Sequence, residues 1–348
     1  MSVKERMLHG LFSRILKETP SVCSHRNEAG TIPPDQGLTG RRILDGVLRA
    51  KRAQEAFLGQ TALVLRVAVA AAKTSEAREV AAVWTALDAG SQRAPSERVQ
   101  FEVVPWPVGA SISARHHLVV GVGSIDQPEQ IAAVDVCIES ADAERIWTER
   151  LNAFRDNLAD GRRAPRRRTA ELVEPDPSWP VHASRLIARL EDACGNGPLR
   201  IDHIGSTSVP GLAAKDLIDI QIVVRDLAVA EAVATHGSRA GFVRVAGEWD
   251  APDRLGRRFP EVVMVDADPG RPVNVNIRPI HDPVWREVLL FRDWLRASAE
   301  HRSEYEALKR SLARATRDVD SYSDAKLPWI GEALTRANAW ALATKWSP

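Results

Sequence analysis

The stretch Ile201–Val224, "IDHIGSTSVPGLAAKDLIDIQIVV", decides the fold of the C-terminal half of this chain. Its two apolar runs predict two buried strands, and the chain places a loop rich in glycine, serine and threonine between them. Asp219 interrupts the second run. Because strand residues alternate between faces, Asp219 and Gln221 share one face, opposite Ile218 and Ile220. An unpaired carboxylate is costly to bury, so we expect the face that carries Asp219 and Gln221 to be oriented toward the loop.

The loop has two interpretations. A glycine after a strand lets the backbone approach a ligand, and hydroxyl and backbone N–H groups donate to phosphate oxygens. The alternative is a tight turn with a serine N-cap. An acid beside such a loop favours a site, because carboxylates next to bound phosphates are common Mg²⁺ ligands. We therefore expect Asp219 to be the metal ligand and the catalytic residue, and the candidate phosphate-binding residues of the loop are Gly205, Ser206, Thr207 and Ser208.

Further polar residues are candidates for the same pocket. Lys215, Arg278 and Lys326 are possible phosphate partners, and Arg278 lies two residues after Asn276 on the same strand face. The alternative for Lys215 and Lys326 is an exposed surface charge. His203 either lines the pocket or is a packed histidine with a satisfied ring.

Composition excludes some classes of function. The chain has 348 residues, which favours two domains, and a net charge of +1, which argues against general binding of nucleic acid or membrane surfaces. Cys23, Cys137 and Cys194 lack metal-ligand spacing, and their odd number suits a reducing compartment. The N-terminus lacks the apolar core of a signal peptide, and no apolar run approaches the roughly 20 residues of a membrane span. The sequence predicts a soluble, cytoplasmic protein.

The segment 159–180, "ADGRRAPRRRTAELVEPDPSWP", divides the chain. Its five arginines and four prolines resist helix and strand, which indicates a linker. The arginine run is either a solvated connection or a grip for phosphate or nucleic acid. Before it, composition predicts disorder over 18–40. Periodicity predicts helices over 41–72 and 76–88, short strands in "RVQFEVVPWPVG" and "HHLVVGVGS", and an amphipathic helix in "DAERIWTERLNAFRDNLAD".

After the linker the sequence predicts an α/β (α+β) arrangement, a small mixed sheet with packed helices. Pro283 and Pro328 suit a first helical turn or a break. The predicted helices are 181–194, 227–236 and three pieces after 283; the predicted strands are 199–204, 217–224, "FVRVAG", "EVVMVDA" and "VNVNIRP".

Gly205-Ser206 followed by Asp219 on the next strand resembles the signature of the nucleotidyltransferase superfold, and "DHIGSTSVPGLAAKDLIDI" resembles the GrpB family, which has that fold. The resemblance covers residues 171–345. It includes "PDPSWP" at 175–180, "VNVNIRP", "FRDWLRA", and the pairs Tyr305/Lys309 and Tyr322/Lys326. It implies a nucleotidyltransferase-like fold that binds a nucleotide or another phosphate-bearing ligand. Mg²⁺-dependent nucleotidyl transfer to an unknown acceptor is a further implication.

The chain departs from that family pattern where the metal would bind. Active nucleotidyltransferases usually carry a second carboxylate two residues after the first and a third on a later strand. Here the second position is Gln221, and the third falls near Asn274 or Asn276. Neutral amides bring no charge to a catalytic metal pair, so Asp219 alone would hold one Mg²⁺ through the phosphates of a nucleotide.

Residues 99–165 resemble the end of a dephospho-CoA kinase domain, as in actinobacterial fusions of that kinase with a GrpB-like domain. "FEVVPWPVG" and "HHLVVGVG" resemble its central strands, and "EQIAAVDVCIES" with the following helix resembles its end. Such a kinase needs the phosphate loop Gly-x-x-x-x-Gly-Lys-Ser/Thr, which the sequence does not contain. We interpret this half as a degenerate remnant and predict that the protein does not phosphorylate dephospho-CoA.

Three functions stay open at this stage. The first is nucleotidyl transfer at Asp219. The second is non-catalytic binding of a nucleotide or CoA-like ligand. The third is structural or regulatory support of the other half, or of a protein partner, linked to coenzyme A biosynthesis. The predicted organisation is a poorly defined, partly disordered and helical region at 1–98, the kinase-like remnant with its linker at 99–165, and the GrpB-like domain at 171–345.

Overall fold

A computed structural model of the chain describes residues 64–124 and 133–348. The predictions for 18–40 and for the first part of 41–72, and Cys23, lie outside the described residues. Within them, no helix has both the length and the apolar character needed to cross a membrane.

The N-terminal half is built on a parallel sheet. Its strands are β1 (Arg66–Ala71), β2 (Gln100–Val104), β3 (Leu118–Val122) and β4 (Val136–Ile138), in the order β2-β1-β3-β4. The two central strands, β1 and β3, are almost wholly buried, as expected for a parallel sheet that is covered on both faces.

Strand β1 corrects the sequence interpretation, which placed residues 41–72 in a helical pattern. The strand "RVAVAA" pairs with both β2 and β3. The periodicity of a short apolar run does not distinguish a buried strand from a buried helix. Here pairing with the neighbouring strands makes this segment a strand. The sheet therefore begins before residue 99. The predicted domain ranges themselves stay a prediction.

Helices complete this half. The predicted helix at 76–88 is confirmed as α1 (Thr74–Ala89), and α2 (Ala110–Arg115) follows β2. The predicted amphipathic helix is also confirmed: α3 (Ala143–Ile146) continues through a π-helical segment (Trp147–Leu151) into α4 (Asn152–Ala159). Trp84 of α1 is fully buried in the core of this half.

The C-terminal half contains the mixed sheet that the sequence predicts. Its order is β5-β6-β10-β9-β7, with β8 paired to β9; β6 and β10 are parallel and the other pairs are antiparallel. The sequence missed β8, whose residues are half-exposed or exposed and show no alternation. The elements are α5 (Trp179–Cys194), β5 (Arg200–Ile204), β6 (Ile218–Val224), α6 (Leu227–Gly237), β7 (Phe242–Arg244), β8 (Trp249–Pro252), β9 (Arg258–Asp266) and β10 (Val273–Pro279).

The two faces of this sheet differ in chemistry. The apolar face, which includes Ile218 and Ile220, packs against α5 and α6. The opposite face carries Asp219 and Gln221. The chain ends in helices α7 (Val284–Ala297), α8 (Ala299–Ala315) and α9 (Val319–Thr344), which pack against the loop after β5. Pro283 lies at the N-cap of α7, while α9 runs through Pro328 without the break that the sequence allowed.

The two halves meet through buried ion pairs. Arg185 and Arg189 of α5 both pair with Asp135, which precedes β4; the Arg185 Nε to Asp135 Oδ1 distance is 3.2 Å. Burial alone would raise the pKa of Asp135, but the two guanidinium groups lower it to about 2. Arg150, in the π-helical segment, pairs with Asp268 just after β9 at 2.6 Å. The halves therefore share a charged, desolvated interface.

Candidate functional site

The loop after β5 rests directly on Asp219. Gly205 has φ 70° and ψ −172°, a backbone conformation that is essentially restricted to glycine, and Ser206–Ser208 form a 3₁₀ turn. A Cβ atom added to Gly205 would lie 2.5 Å from Oδ2 and 3.0 Å from Cβ of Asp219. Glycine is therefore required both for the turn and for the close contact with the carboxylate.

Two of the loop hydroxyls serve the loop itself. Thr207 and Ser208 are buried; Thr207 Oγ1 donates to the Leu217 carbonyl at 3.3 Å, and Ser208 Oγ donates to the Gly205 carbonyl at 2.6 Å. The sequence predicted both as phosphate ligands. The structure instead directs their hydroxyls into the fold, because these bonds close the turn. The Ser206 hydroxyl contacts the Tyr305 hydroxyl of α8.

His203 supports the same turn. Its Nε2 lies 3.0 Å from Thr207 Oγ1. Burial and the charges of Arg296 and Arg292 lower the pKa of His203 to about 4, so the ring is neutral at pH 7. Because Thr207 Oγ1 donates to a carbonyl, it accepts the bond from His203. His203 is a packed histidine with a satisfied ring nitrogen, the alternative that the sequence left open.

Asp219 is partly buried and has one close side-chain partner across the sheet. It stands opposite Asn274 in the β6–β10 register, and Asn274 Nδ2 donates to Asp219 Oδ1 at 2.9 Å. Burial raises the pKa of Asp219, although the Asn274 hydrogen bond and the charges of Lys215 and Lys326 oppose the shift. The carboxylate therefore lies in a cationic environment with restricted access to water.

Lys215 and Lys326 belong to this environment and are not surface charges. Their Nζ atoms lie 5.6 Å and 4.5 Å from the centre of the same Tyr322 ring. Burial and the charge of Lys215 lower the pKa of Lys326 to about 8. Burial also lowers the pKa of Lys215. Both lysines act electrostatically on Asp219, so the interpretation as exposed surface charges is wrong, while phosphate binding by them stays a prediction.

Lys309 is a third cation, which the sequence interpretation did not include among the site residues. It is almost wholly buried, donates to the Ala213 carbonyl and lies 5.0 Å from the centre of the Tyr305 ring. Burial and the charge of Lys326 lower its pKa to about 7. The spacing of the pair Tyr305/Lys309 repeats in Tyr322/Lys326, which places each lysine one helical turn after a tyrosine. That repeat was the available signal.

Arg278 is paired with protein groups through its terminal nitrogens, while its Nε atom is buried without a hydrogen-bond partner. Its guanidinium donates to Gln221 Oε1 at 2.8 Å and pairs with Glu261 at 2.8 Å, and Gln221 Nε2 donates to the Trp285 carbonyl at 3.1 Å. Gln221 is fully buried, and Asn276 stands opposite it in the register. The positions where a nucleotidyltransferase carries further carboxylates thus contain Gln221, which bonds to Arg278 and to the Trp285 carbonyl, and the neutral Asn274 or Asn276.

The linker contributes a residue that the sequence left as a general arginine run. Arg166 donates to Asn274 Oδ1 at 2.6 Å and to the Val273 carbonyl at 2.5 Å, and it pairs with the buried Asp266. Four arginines of the same segment could not be distinguished from it by composition. Only the folded chain shows that Arg166 reaches the partner of Asp219.

The protein residues do not form a metal-binding set by themselves. Among residues 64–124 and 133–348, no group of three or more histidine, cysteine, aspartate or glutamate side chains is arranged to hold a metal ion. At the loop, Asp219 stands among cations, and the amide nitrogen of Asn274 faces its carboxylate. Mg²⁺ prefers several oxygen ligands and tolerates cationic neighbours poorly. The predicted Mg²⁺ at Asp219 would therefore depend on ligand phosphates for most of its ligands.

Sequence comparison with known proteins places the C-terminal half of this chain in a family. The sequence model described as "GrpB protein" matches residues 169–336. A UPF0157 protein from Halalkalibacterium halodurans is 34% identical over 193 residues, which cover 55% of this chain and 94% of that protein. The crystal structure of the conserved protein GrpB from Enterococcus faecalis is 27% identical, covers 48% of this chain and 98% of that chain, and superposes with a TM-score of 0.40.

The similarity to a longer protein extends beyond the GrpB range. A dephospho-CoA kinase from Mycolicibacterium paratuberculosis is 40% identical over an alignment of 224 residues, which covers 59% of this chain. The chain spans about half of that relative, 54% of its length. Homologous sequence thus continues into the N-terminal half, as the resemblance to a kinase–GrpB fusion predicts.

Proposed function

Since the chain belongs to the GrpB family, we propose that its C-terminal half binds a phosphate-bearing small molecule of the nucleotide class. One observation carries this proposal: Lys215, Lys326 and Arg166 converge on Asp219, beside the Gly205 turn. Lys326 interacts with another cation, Lys215, and with a single acid, Asp219, while Arg166 is paired with Asp266 and Asp320 also acts on Lys215. A phosphate would add negative charge beside the two lysines.

The lowered pKa values of Lys326 and Lys215 support the proposal. Removing an ammonium group from water disfavours its charged form, which is why the pKa of Lys326 is about 8 rather than its ordinary value of 10.5. A protein that needed only packing at this position would be served by an apolar side chain. A bound anion would reverse the shift, because an opposite charge within a few ångströms stabilises the ammonium form.

Binding is better supported than nucleotidyl transfer. Arg278 is bonded to Gln221 and Glu261, and the amide positions bring no charge to a metal pair. A single carboxylate leaves most metal ligands to be provided by the nucleotide itself. Mg²⁺-dependent transfer stays an alternative proposal, which would be supported if a product formed with wild-type protein and was lost in Asp219→Asn.

The test is ligand binding by the full chain. Isothermal titration and thermal shift would use nucleoside triphosphates and CoA precursors, with and without Mg²⁺, and Lys326→Gln would be compared with Lys73→Gln. Lys73 is a matched control, because its side chain is 76% exposed in the other half. We expect binding by wild type and Lys73→Gln and a loss in Lys326→Gln. Binding by none of the proteins would refute the proposal.

A second candidate function has its own observation. The buried pairing of Asp135 with Arg185 and Arg189 joins the halves, so the GrpB half could act as a support for the kinase-like half. Partner removal from a buried ion pair leaves an uncompensated charge, which makes each half dependent on the other. Expression of residues 1–165 alone tests this candidate: a soluble fragment that unfolds cooperatively would contradict it.

A further inference from the structure

We infer that Arg166 of the linker contacts the ligand directly, and that the N-terminal half holds it in place. The site would then be complete only when the two halves are joined. This inference rests on the proposed function, because it assigns a further binding residue to the same phosphate site.

The hydrogen bonds of Arg166 leave donors available. A guanidinium carries five N–H donors in one plane. Asn274 Oδ1, the Val273 carbonyl and Asp266 Oδ1 each accept one bond from it. Its Nε atom is buried and has no hydrogen-bond partner. A buried donor without a partner is costly, and a phosphate oxygen is an acceptor that matches the planar geometry of arginine.

The position of Arg166 also fits a ligand contact. Its guanidinium binds Asn274, which in turn donates to Asp219. The charge of Arg166 opposes the rise in the pKa of Asp219 and contributes to the lowered pKa of Lys215, so it lies within electrostatic reach of both groups. An anion seated between the lysines and the Gly205 turn would therefore be close to Arg166.

The N-terminal half fixes the start of this linker. Asn157 of α4 donates through Nδ2 to the Ala267 carbonyl at 3.0 Å, and Arg150 pairs with Asp268. The chain then turns, and the Ala164 backbone N–H donates to the Asp266 carbonyl at 3.0 Å. These contacts hold helix α4 and the linker against the end of β9. The last of them, at Ala164, lies two residues before Arg166.

The C-terminal half fixes the other end of the linker. The Val319 backbone N–H, at the start of α9, donates to the Arg168 carbonyl at 2.9 Å, and Val173 exchanges two backbone hydrogen bonds with Ala214, next to Lys215. The linker is thus tied on both sides of Arg166. The GrpB match begins at residue 169, so Arg166 lies outside the family range.

The experiment compares two neighbouring arginines in the full chain, with inorganic pyrophosphate and ADP as probes. Arg166→Gln would lose a charge-assisted contact, and we expect Kd to rise by about tenfold or more. Arg167→Gln is the matched control, since Arg167 is 76% exposed and pairs with Glu171; we expect its Kd to stay within about twofold of wild type. Arg166→Lys, which keeps the charge, should recover part of the affinity.

Stability is controlled separately, because Arg166→Gln leaves the buried Asp266 without its ion-pair partner. The double variant Arg166→Gln/Asp266→Asn removes both charges; it should unfold at a higher temperature than the single variant and still bind weakly. If Arg166→Gln binds as tightly as Arg167→Gln while Lys326→Gln does not bind, the inference is wrong and the proposed function stands. The inference and the proposed function are both wrong if the wild-type protein binds none of the ligands tested. Those ligands are pyrophosphate, ADP, the nucleoside triphosphates with and without Mg²⁺, and the CoA precursors.

Discussion

Replacement of Gly205 by alanine tests whether the loop and Asp219 are packed as described. The new Cβ would meet Asp219 Oδ2 at 2.5 Å and Asp219 Cβ at 3.0 Å, while the backbone has φ 70° and ψ −172°. The backbone conformation is strained for any residue other than glycine. The contact with Asp219 cannot be relieved by a flexible side-chain end alone, because one of the close atoms is a Cβ.

The two effects can be given magnitudes. A non-glycine residue in this backbone region costs about 1–3 kcal/mol, and the overpacking of a filled site costs about 1–3 kcal/mol. We therefore expect Gly205→Ala to lower the free energy of unfolding by about 4 kcal/mol. For a domain of this size, that corresponds to a fall in Tm of about 8–16 °C.

Gly211→Ala is the matched control in the same loop. Gly211 also has a positive φ of 75°, but a Cβ added there would meet nothing within 4 Å. We expect Gly211→Ala to lower the free energy of unfolding only through the backbone strain, by about 1–2 kcal/mol. Differential scanning calorimetry of both variants measures the difference. Equal Tm shifts for Gly205→Ala and Gly211→Ala would refute the close packing of the loop on Asp219.

Three further predictions concern other parts of the chain. Arg189→Met should lower the stability by about 3–5 kcal/mol in urea unfolding, because it leaves Asp135 short of a buried partner; a loss under about 1 kcal/mol would contradict the interface. Lys309 and Lys326 have folded pKa values of about 7 and 8, below those of the unfolded chain, so the unfolded state binds more protons and stability should rise from pH 7 to pH 10. Calorimetry across that range checks the sign, and Lys309→Met should flatten the slope. Thr207→Val should cost about 1–3 kcal/mol by removing a buried hydroxyl that bonds on both sides, and an unchanged Tm would exclude its role in the turn.

Local sequence pattern predicted most elements of the C-terminal half. Strand alternation placed Asp219 and Gln221 on one face of β6, and the structure confirms a sheet whose other face packs Ile218 and Ile220. These properties depend on neighbours within a few residues, where the period of a strand and the backbone freedom of glycine act directly. The same local reasoning failed at β1, because a short apolar run fits either a strand or a helix.

The set of charged side chains around Asp219 could be identified only from the tertiary structure. Lys215 and Lys326 were candidates from sequence, but whether Lys215 was a surface charge depended on Tyr322 of α9, and whether Lys326 was one depended on Asp219 of β6. Arg278 looked available until Glu261, on a neighbouring strand, paired with it. The charge and availability of a side chain are set by partners distant in sequence, and a single sequence does not record those partners.

Gly205 and Arg166 show most clearly which features follow from the sequence and which follow only from the tertiary structure. The sequence by itself determined that a glycine turn follows a buried strand and precedes an acid, because strand period and turn chemistry are local properties. Only the tertiary structure decided that Arg166, one of five linker arginines, reaches Asn274 beside that acid, while Arg167 faces solvent. The linker has no period of its own. The packing of α4 against the end of β9 determines which of its side chains enters the site.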